Sequence, residues 1–545
     1  MALAPQDVER NPIASQTVEK GSGLERAGSD QTANDAPSRT ERSHEKGRTP
    51  SPGISAAHGA WYKTHEDGTK IITFAGEDDK DNPRNWSRGK KWYLTLLCSW
   101  LNILVASQAS AYSTGQKQIQ QEFGISNELS IAGLSLYVLG FAVGPMVVAP
   151  LSETFGRRRI YIWCWALFVL LQFGVAFAPN APVIFVFRFL TGFFSSPPLA
   201  NTGGVISDLF ARDESGVPMS VYVFGSCIGP PFGNVYAGFI AQQLGWRWTH
   251  YLTSLLIMGV HWFLIVFTLT ETRHNIILAR KAQAIRKTTG DESYVSTHGD
   301  ERKPIFTLIK TSLARPILFL FTEPITAFGS IWNGLLYGLI FLFNDAFTIV
   351  FGPGDGYNIQ HSGLVELTFV AFIIGEALGL ALYPWTQERF YQRAIKKAGQ
   401  SVPEARMAGG TIGCCLLPVG LFIFAWTCYP SISPVVPLIG AAVFGLGFFF
   451  VLFGILSWTV DSYREYSASA LGAVVLVRNI FGAALPLAGA PMYENLGRHW
   501  ATTLVACLGI PLIPVSWFFY AKGDLIRKRS PWAASHFADN ADAPH

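Results

Sequence analysis

Charge is scarce in this sequence: Asp, Glu, Lys and Arg together make up 15% of its 545 residues, against 49% apolar residues that include 40 phenylalanines. A chain this long with so little charge is not a string of soluble domains, and its main solvent is expected to be lipid. Cysteine is scarce as well. Cys98, Cys164, Cys227, Cys414, Cys415, Cys428 and Cys507 lie in or beside apolar runs without metal-ligand or secreted-disulfide spacing, and are read as reduced packing residues. The opening MALAPQDVERNP has no apolar core of the kind a secretory leader needs, so the first membrane span is expected to do the targeting. His261 and His361 stand apart from any nucleophile or metal partner, which argues against a membrane-embedded enzyme or a metal site. The formal charge of +4 is small, and nothing in the pattern indicates a nucleic-acid partner.

What is present is a recurring apolar run. A bilayer core of about 30 Å needs roughly 20 residues per helix, and such runs are read at 92–113, 129–151, 159–178, 182–209, 218–242 and 250–270, then at 315–345, 361–384, 407–428, 434–459, 467–490 and 500–521. The expected fold is an all-α integral membrane protein of twelve helices in two six-helix halves, 92–270 and 315–521. Residues 1–91, rich in Ser, Gly, Pro and charge, are expected to form a disordered cytoplasmic tail. The stretch 271–314, with Arg273, Arg280, Lys281, Arg286, Lys287, Arg302 and Lys303, reads as a cytoplasmic linker, and 522–545 as a cytoplasmic tail.

Loops after even-numbered spans carry Arg157, Arg158, Arg159, Arg212, Arg389, Arg393, Lys396, Lys397, Arg406 and Arg464, while the opposite side offers Lys117, Arg247 and Arg498. By the positive-inside rule both termini are cytoplasmic, which requires an even number of spans. The sequon at Asn85 then lies in the cytosol and is expected to go unused.

Three segments carry chemistry. The first runs from Gly144 through Glu153 to Gly156, Arg157 and Arg158: Gly144 permits close helix approach, Gly156 allows a tight turn, and an acid precedes an arginine cluster at the membrane face. Such a cluster can lock helices in one state and release them in another; the plainer alternative is a topology anchor. The segment resembles the loop signature of the major facilitator superfamily, in particular fungal members of its twelve-span drug:proton antiporter group, with Glu153 where Asp is frequent. The resemblance covers about residues 80–522, from the lead-in Asp81-Asn82-Pro83-Arg84-Asn85-Trp86-Ser87 onward. It implies that Asp208 belongs to a gating charge network.

The second segment is Phe187–Gly192, which sets Arg188 inside an apolar run. An intramembrane arginine is costly and needs an acceptor; it is either a buried brace or, as the resemblance implies, part of proton coupling. The third is Gly225-Ser226-Cys227-Ile228-Gly229-Pro230-Pro231-Phe232-Gly233. Glycines four apart form a smooth packing face, and the full order of Gly225, Gly229, Pro230 and Gly233 resembles the antiporter motif of exporters, with Asn234 where a further glycine is common. Trp246-Arg247-Trp248, Glu271-Thr272-Arg273, Glu323-Pro324 and Val477-Arg478-Asn479 are similar to the same group.

Acids inside the second half are few: Glu323, Glu366 and Glu376, with Asp345 and Asp461 nearer the ends. A carboxyl in low dielectric can exchange a proton near neutral pH, and Glu376 is the first candidate for binding a proton or recognising a cation, the alternative being a protonated packing residue. Trp332, Asn333, Tyr337 and Phe341 fall near helical spacings in span seven. They are either packing or the wall of an apolar, aromatic cavity. The combined expectation is export of small hydrophobic or amphipathic compounds across the plasma membrane, driven by the proton gradient without a cofactor. An uptake permease for an organic acid, polyamine or other solute is the alternative. The partners expected are a small-molecule substrate, protons and the lipid bilayer.

Overall fold

The computed structural model of the protein describes residues 54–57, 60–64, 68–74, 79–211, 214–296, 305–354, 356–399, 402–463, 467–530 and 532. The first half consists of α1 (Arg88–Ala111), α2 (Gln116–Phe123), α3 (Asn127–Phe155), α4 (Arg157–Ala176), α5 (Ala181–Phe194), α6 (Pro197–Leu209), α7 (Gly216–Leu244), α8 (Trp246–Leu252) and α9 (Val260–Thr268). After α10 (His274–Thr289) come α11 (Ile305–Thr322), α12 (Pro324–Phe351), α13 (Ser362–Leu367), α14 (Val370–Tyr383), α15 (Arg389–Ala398) and α16 (Met407–Thr427). The chain then runs through α17 (Val435–Tyr463), α18 (Ser467–Ala484), α19 (Pro486–Gly509) and α20 (Leu512–Lys528).

Among the described residues ten helical stretches, several of them joining two or three of these helices, are long and apolar enough to cross a membrane. The two expected spans outside that set are α7, whose Ser, Asn, Gln and Gly content dilutes a helix of 29 residues, and α18, whose apolar part is the shorter stretch 469–484. Left-handed glycines make the tightest connections: Gly156 (φ 96°) joins α3 to α4, Gly245 (φ 90°) joins α7 to α8, and Gly497 (φ 72°) divides α19. Only glycine adopts such a φ without strain. The fourth span, expected as one run over 182–209, breaks at Ser195 and Ser196, where Pro197 and Pro198 remove the donors that would continue α5.

The two halves meet along α3 with α18 and along α7 with α13 and α14. Asn234 of α7 donates to Asn344 of α12 at 3.3 Å, and Asn479 of α18 donates to the Phe141 carbonyl of α3 at 3.3 Å. Asn234, which departs from the glycine common in the antiporter motif, is therefore a bridge between the halves.

Parts of the expected tail and linker are ordered together, which corrects the expectation of disorder through residue 91. Strands β1 (Ile54–Ala57), β2 (Ala60–Thr64), β3 (Lys70–Thr73) and β4 (Tyr294–Ser296) form one sheet in that order, with β3 and β4 parallel. Ile72 packs with Leu278, Ala282 and Ile285 of α10 and with Tyr294, and Lys70 pairs with Asp291 at 2.7 Å. That hydrogen bond holds the Asp291 carboxyl below the usual carboxylate range and raises the Lys70 ammonium, so both partners are charged at neutral pH. No local signal gives this sheet, because its apolar side is completed by residues more than two hundred positions away. Residues 1–53 and the expected tail beyond 532 lie outside the described residues, as do Arg212, Arg302, Lys303 and Arg464. Ile72→Ala is expected to cost about 2–5 kcal/mol of local stability, visible as faster hydrogen exchange at 70–73 and 294–296 with the spans unchanged.

Candidate functional site

At the end of α3 the charged cluster assembles as one network. The Arg157 guanidinium, 5% exposed, donates through Nε to Asp208 Oδ2 at 2.7 Å, and its backbone N–H donates to Glu271 Oε1 at 3.0 Å. Glu271 also accepts from the N–H groups of Thr272 and Arg273. Arg273 spans Asp208 at 3.7 Å and Glu153 at 3.9 Å, and Arg158 donates to the Val266 carbonyl at 2.8 Å. Gly156 and Gly204 leave room for this: a Cβ at Gly204 would sit 2.6 Å from Arg157 Cζ. Burial pushes the His274 imidazole below its usual range, with Asp208 pulling the other way. The structure thus brings Glu153, Gly156, Arg157 and Asp208 together, turns Arg158 to the α9 backbone instead, and adds Glu271 and Arg273, whose Glu-Thr-Arg string was the sequence signal. Asp208→Asn leaves Arg157 buried without its counter-charge, which costs about 3–5 kcal/mol; the solubilised variant is expected to unfold at a clearly lower temperature than wild type.

A second network occupies the corresponding end of the other half. Arg406 meets Asp461 at 3.0 Å and Glu388 at 3.5 Å, its guanidinium lies 3.4 Å over the Tyr391 ring, and Tyr391 donates to Asp461 at 3.0 Å. In the sequence Arg406 reads only as a topology charge and Asp461 as a span-end acid, and Glu388 and Tyr391 carry no signal. Their pairing is a tertiary fact.

The glycines of α7 lie against α1. A Cβ at Gly225 would sit 2.8 Å from the Ser99 carbonyl oxygen, one at Gly229 3.2 Å from that of Ile103, and one at Gly233 2.9 Å from the Ser107 carbonyl carbon. Pro230 is buried as well, and Asn102 of α1 donates to Ser226 at 2.7 Å. Gly144 makes the matching approach of α3 to the α5–α6 break, where a Cβ would sit 2.6 Å from the Phe193 carbonyl oxygen.

Arg188 is fully buried and fully engaged. It donates to the carbonyls of Gly133 and Gln108 at 3.0 Å and of Ala109 at 3.5 Å, between the rings of Tyr112 and Tyr137 at 4.6 and 4.4 Å. Around it, Gln172, Gln108 and Tyr236 are linked by hydrogen bonds of 2.7 and 2.6 Å. This arrangement has the geometry of a brace between α1, α3 and α5. Glu323 lies at the break between α11 and α12, accepting from Tyr463 at 3.1 Å, from the Trp532 N–H at 3.2 Å and from Ser530. All its partners belong to the chain.

Glu376 differs from both. Its side chain in α14 is fully buried and neither carboxyl oxygen has a hydrogen-bond partner among the described residues. It lies within electrostatic range of Cys227 on α7 and Tyr337 on α12, at the meeting of the halves. Tyr337 stacks on Phe448 and carries the Arg478 guanidinium 4.7 Å over its ring. Asn333, one turn before Tyr337, is fully buried with both amide atoms unpartnered. Trp332 turns instead to Phe519 of α20, at 6.3 Å, and packs there. Next to this cluster a cavity of about 10 Å³ lies between Pro231, Ile340, Phe343, Asn344, Phe347, Phe369 and Phe372, room for one water. Arg478 is the residue the sequence reading passed over, treating it as a family echo. Five cysteines are buried, whereas Cys415 and Cys507 are exposed on the helix surface and do not pack inside.

The profile of the Major Facilitator Superfamily matches residues 98–486 of this chain. The efflux pump FUB11 of Gibberella moniliformis is 37% identical over 459 residues, covering 84% of this chain and 77% of that protein. The major facilitator superfamily multidrug transporter mdrA of Aspergillus fumigatus is 36% identical over 473 residues, covering 86% and 77%. Among solved structures, the xylose transporter XylE from E. coli in its inward-open conformation aligns with a TM-score of 0.56 at 14% identity, over 79% of this chain and 96% of that one. That likeness concerns the fold.

Proposed function

We propose that this chain, which belongs to the Major Facilitator Superfamily, exports small hydrophobic or amphipathic organic compounds from the cytosol in exchange for protons. The observation that carries the reading is the glycine face of α7 set against α1, in a chain whose relatives over most of its length are named efflux pump and multidrug transporter. Glycines that bring two helices to backbone contact make a closely packed seam beside the half-to-half interface. Rocking of two halves about a central site is the general means of alternating access, and α3–α18 and α7–α14 are the seams along which it would occur here. The charge networks around Arg157 and Arg406 act as latches that close one face and open in the other state.

In this reading Glu376 carries the proton, Arg188 holds the first half rigid, and Tyr337 and Asn333 face the substrate. The chain works in the plasma membrane with both termini in the cytosol; the excess of Lys and Arg in the loops after even-numbered spans supports that orientation. The test is retention of labelled apolar compounds by cells expressing the chain. Retention below that of control cells is expected; retention that rises with expression would make the protein an importer.

A further inference from the structure

We infer that the central site takes an amphoteric aromatic molecule, its carboxylate on Arg478, its protonated amine on Glu376 and its ring against Tyr337. The inference deepens the efflux reading and rests on it.

Among the described residues, three of the four buried arginines are matched by acceptors. Arg157 and Arg406 have carboxylates at 2.7 and 3.0 Å, and Arg188 has three backbone carbonyls. Arg478 is as buried, at 1% exposure, yet its Nε has no partner and it forms no ion pair among the described residues. The face of one tyrosine ring does not replace the water that a guanidinium gives up on burial. Glu376 is the mirror case, a fully buried carboxyl with two bare oxygens. These two groups of opposite sign are not paired with each other, although both lie within electrostatic range of Cys227 and Tyr337. A structural ion pair would have closed in this state. Two complementary charges near the same tyrosine, neither paired among the described residues, match a ligand that carries both.

The surroundings fit the ring of such a ligand. Tyr337, Phe341 and Phe448 supply π faces, and Gly482, one turn beyond Arg478, lets Tyr337 and Phe341 come against α18, where a Cβ would sit 3.0 and 3.2 Å from them. Asn333 adds a free donor and acceptor one turn away. Charge also fits the exchange: a proton on Glu376 removes the group that holds the amine, so proton and substrate exclude one another. A purely anionic substrate would instead favour the protonated carboxyl and travel with the proton, against the direction of export. A purely cationic one would be set beside the uncompensated Arg478.

Three probes share one ring and differ in charge: tryptophan, N-acetyltryptophan without the cation, and tryptophanamide without the anion. Their displacement of labelled tryptophan from the purified full chain in lipid nanodiscs is measured at equilibrium, with no gradient. Wild type is expected to prefer tryptophan over each single-charge form by at least about tenfold, the scale of losing one desolvated charge contact. Arg478→Gln is expected to remove the preference over the amide alone, and Glu376→Gln the preference over the N-acetyl form alone. Arg478→Lys, which keeps the charge without the fork, is expected to retain part of it and serves if the Gln variant fails to fold. Equal binding of the three probes, no binding of any, or equal losses for all three in the variants would overturn the inference. Vesicles of the same protein that move a neutral apolar dye while these results fail would leave the efflux reading standing. Vesicles that move nothing would remove both.

Discussion

Glu376→Gln is expected to abolish gradient-driven export, a fall of at least about a hundredfold, while the protein reaches the membrane in normal amount. Gln is close to isosteric with Glu and resembles its protonated form, so packing in α14 is preserved and the ability to release a proton is lost. Gly375 and Gly379 on either side of Glu376 pack against α17, where added Cβ atoms would sit 2.7 Å from the Ala442 carbonyl carbon and 2.6 Å from Phe449 Cδ1, so the carboxyl is held on a helix that cannot easily turn. An ionised carboxylate left without a partner in such surroundings costs several kcal/mol, and a neutral amide much less. The variant is therefore expected to unfold at a temperature no lower than wild type. A transporter that is inactive and at least as stable is the signature of a functional group rather than a structural one. Normal export with undiminished sensitivity to a protonophore would place the proton elsewhere.

Gly229→Leu is the second large effect. The new side chain would meet the Ile103 carbonyl oxygen, with its Cβ already 3.2 Å away, and the Ala106 backbone at 3.3 Å, so α1 and α7 must separate. Overpacking of this kind costs about 1–3 kcal/mol where a core can adjust and more where backbone meets backbone. Export is expected to vanish and the melting temperature of the solubilised protein to fall by several degrees. Gly203 provides the control, since a Cβ there meets nothing nearer than Met219 Cε at 3.9 Å. Gly203→Ala is expected to behave as wild type. If both substitutions were tolerated, the α1–α7 seam would not be the close contact described.

What the sequence made legible was whatever is local. The α7 glycines, the Arg157 cluster and Glu376 in an apolar run are visible as spacing and residue type; in the structure the glycines face α1, Arg157 pairs with Asp208 and Glu376 is buried. The break in the fourth span had a local signal too, Ser-Ser-Pro-Pro, which a count of apolar residues overrode. Other features depend on what comes to meet a residue. Arg188 and Arg478 both read as arginines in apolar runs; only the fold distinguishes the one bonded to three carbonyls from the one whose Nε has no partner among the described residues. Glu323 reads in the sequence as one of the few acids inside a span, and only the fold gives it Tyr463, Ser530 and Trp532 as donors. The sheet of β1–β4 escaped for the same reason, since its alternation is short and its partner strand is remote.

The measurement that bears most directly on the account is substrate movement by the purified full chain in proteoliposomes under an imposed proton gradient. With the lumen acidified, an apolar dye is expected to accumulate inside in exchange for outward-moving protons, and a protonophore is expected to abolish the accumulation. Accumulation that persists without the gradient, or that runs in the same direction as the protons, would contradict proton-coupled export.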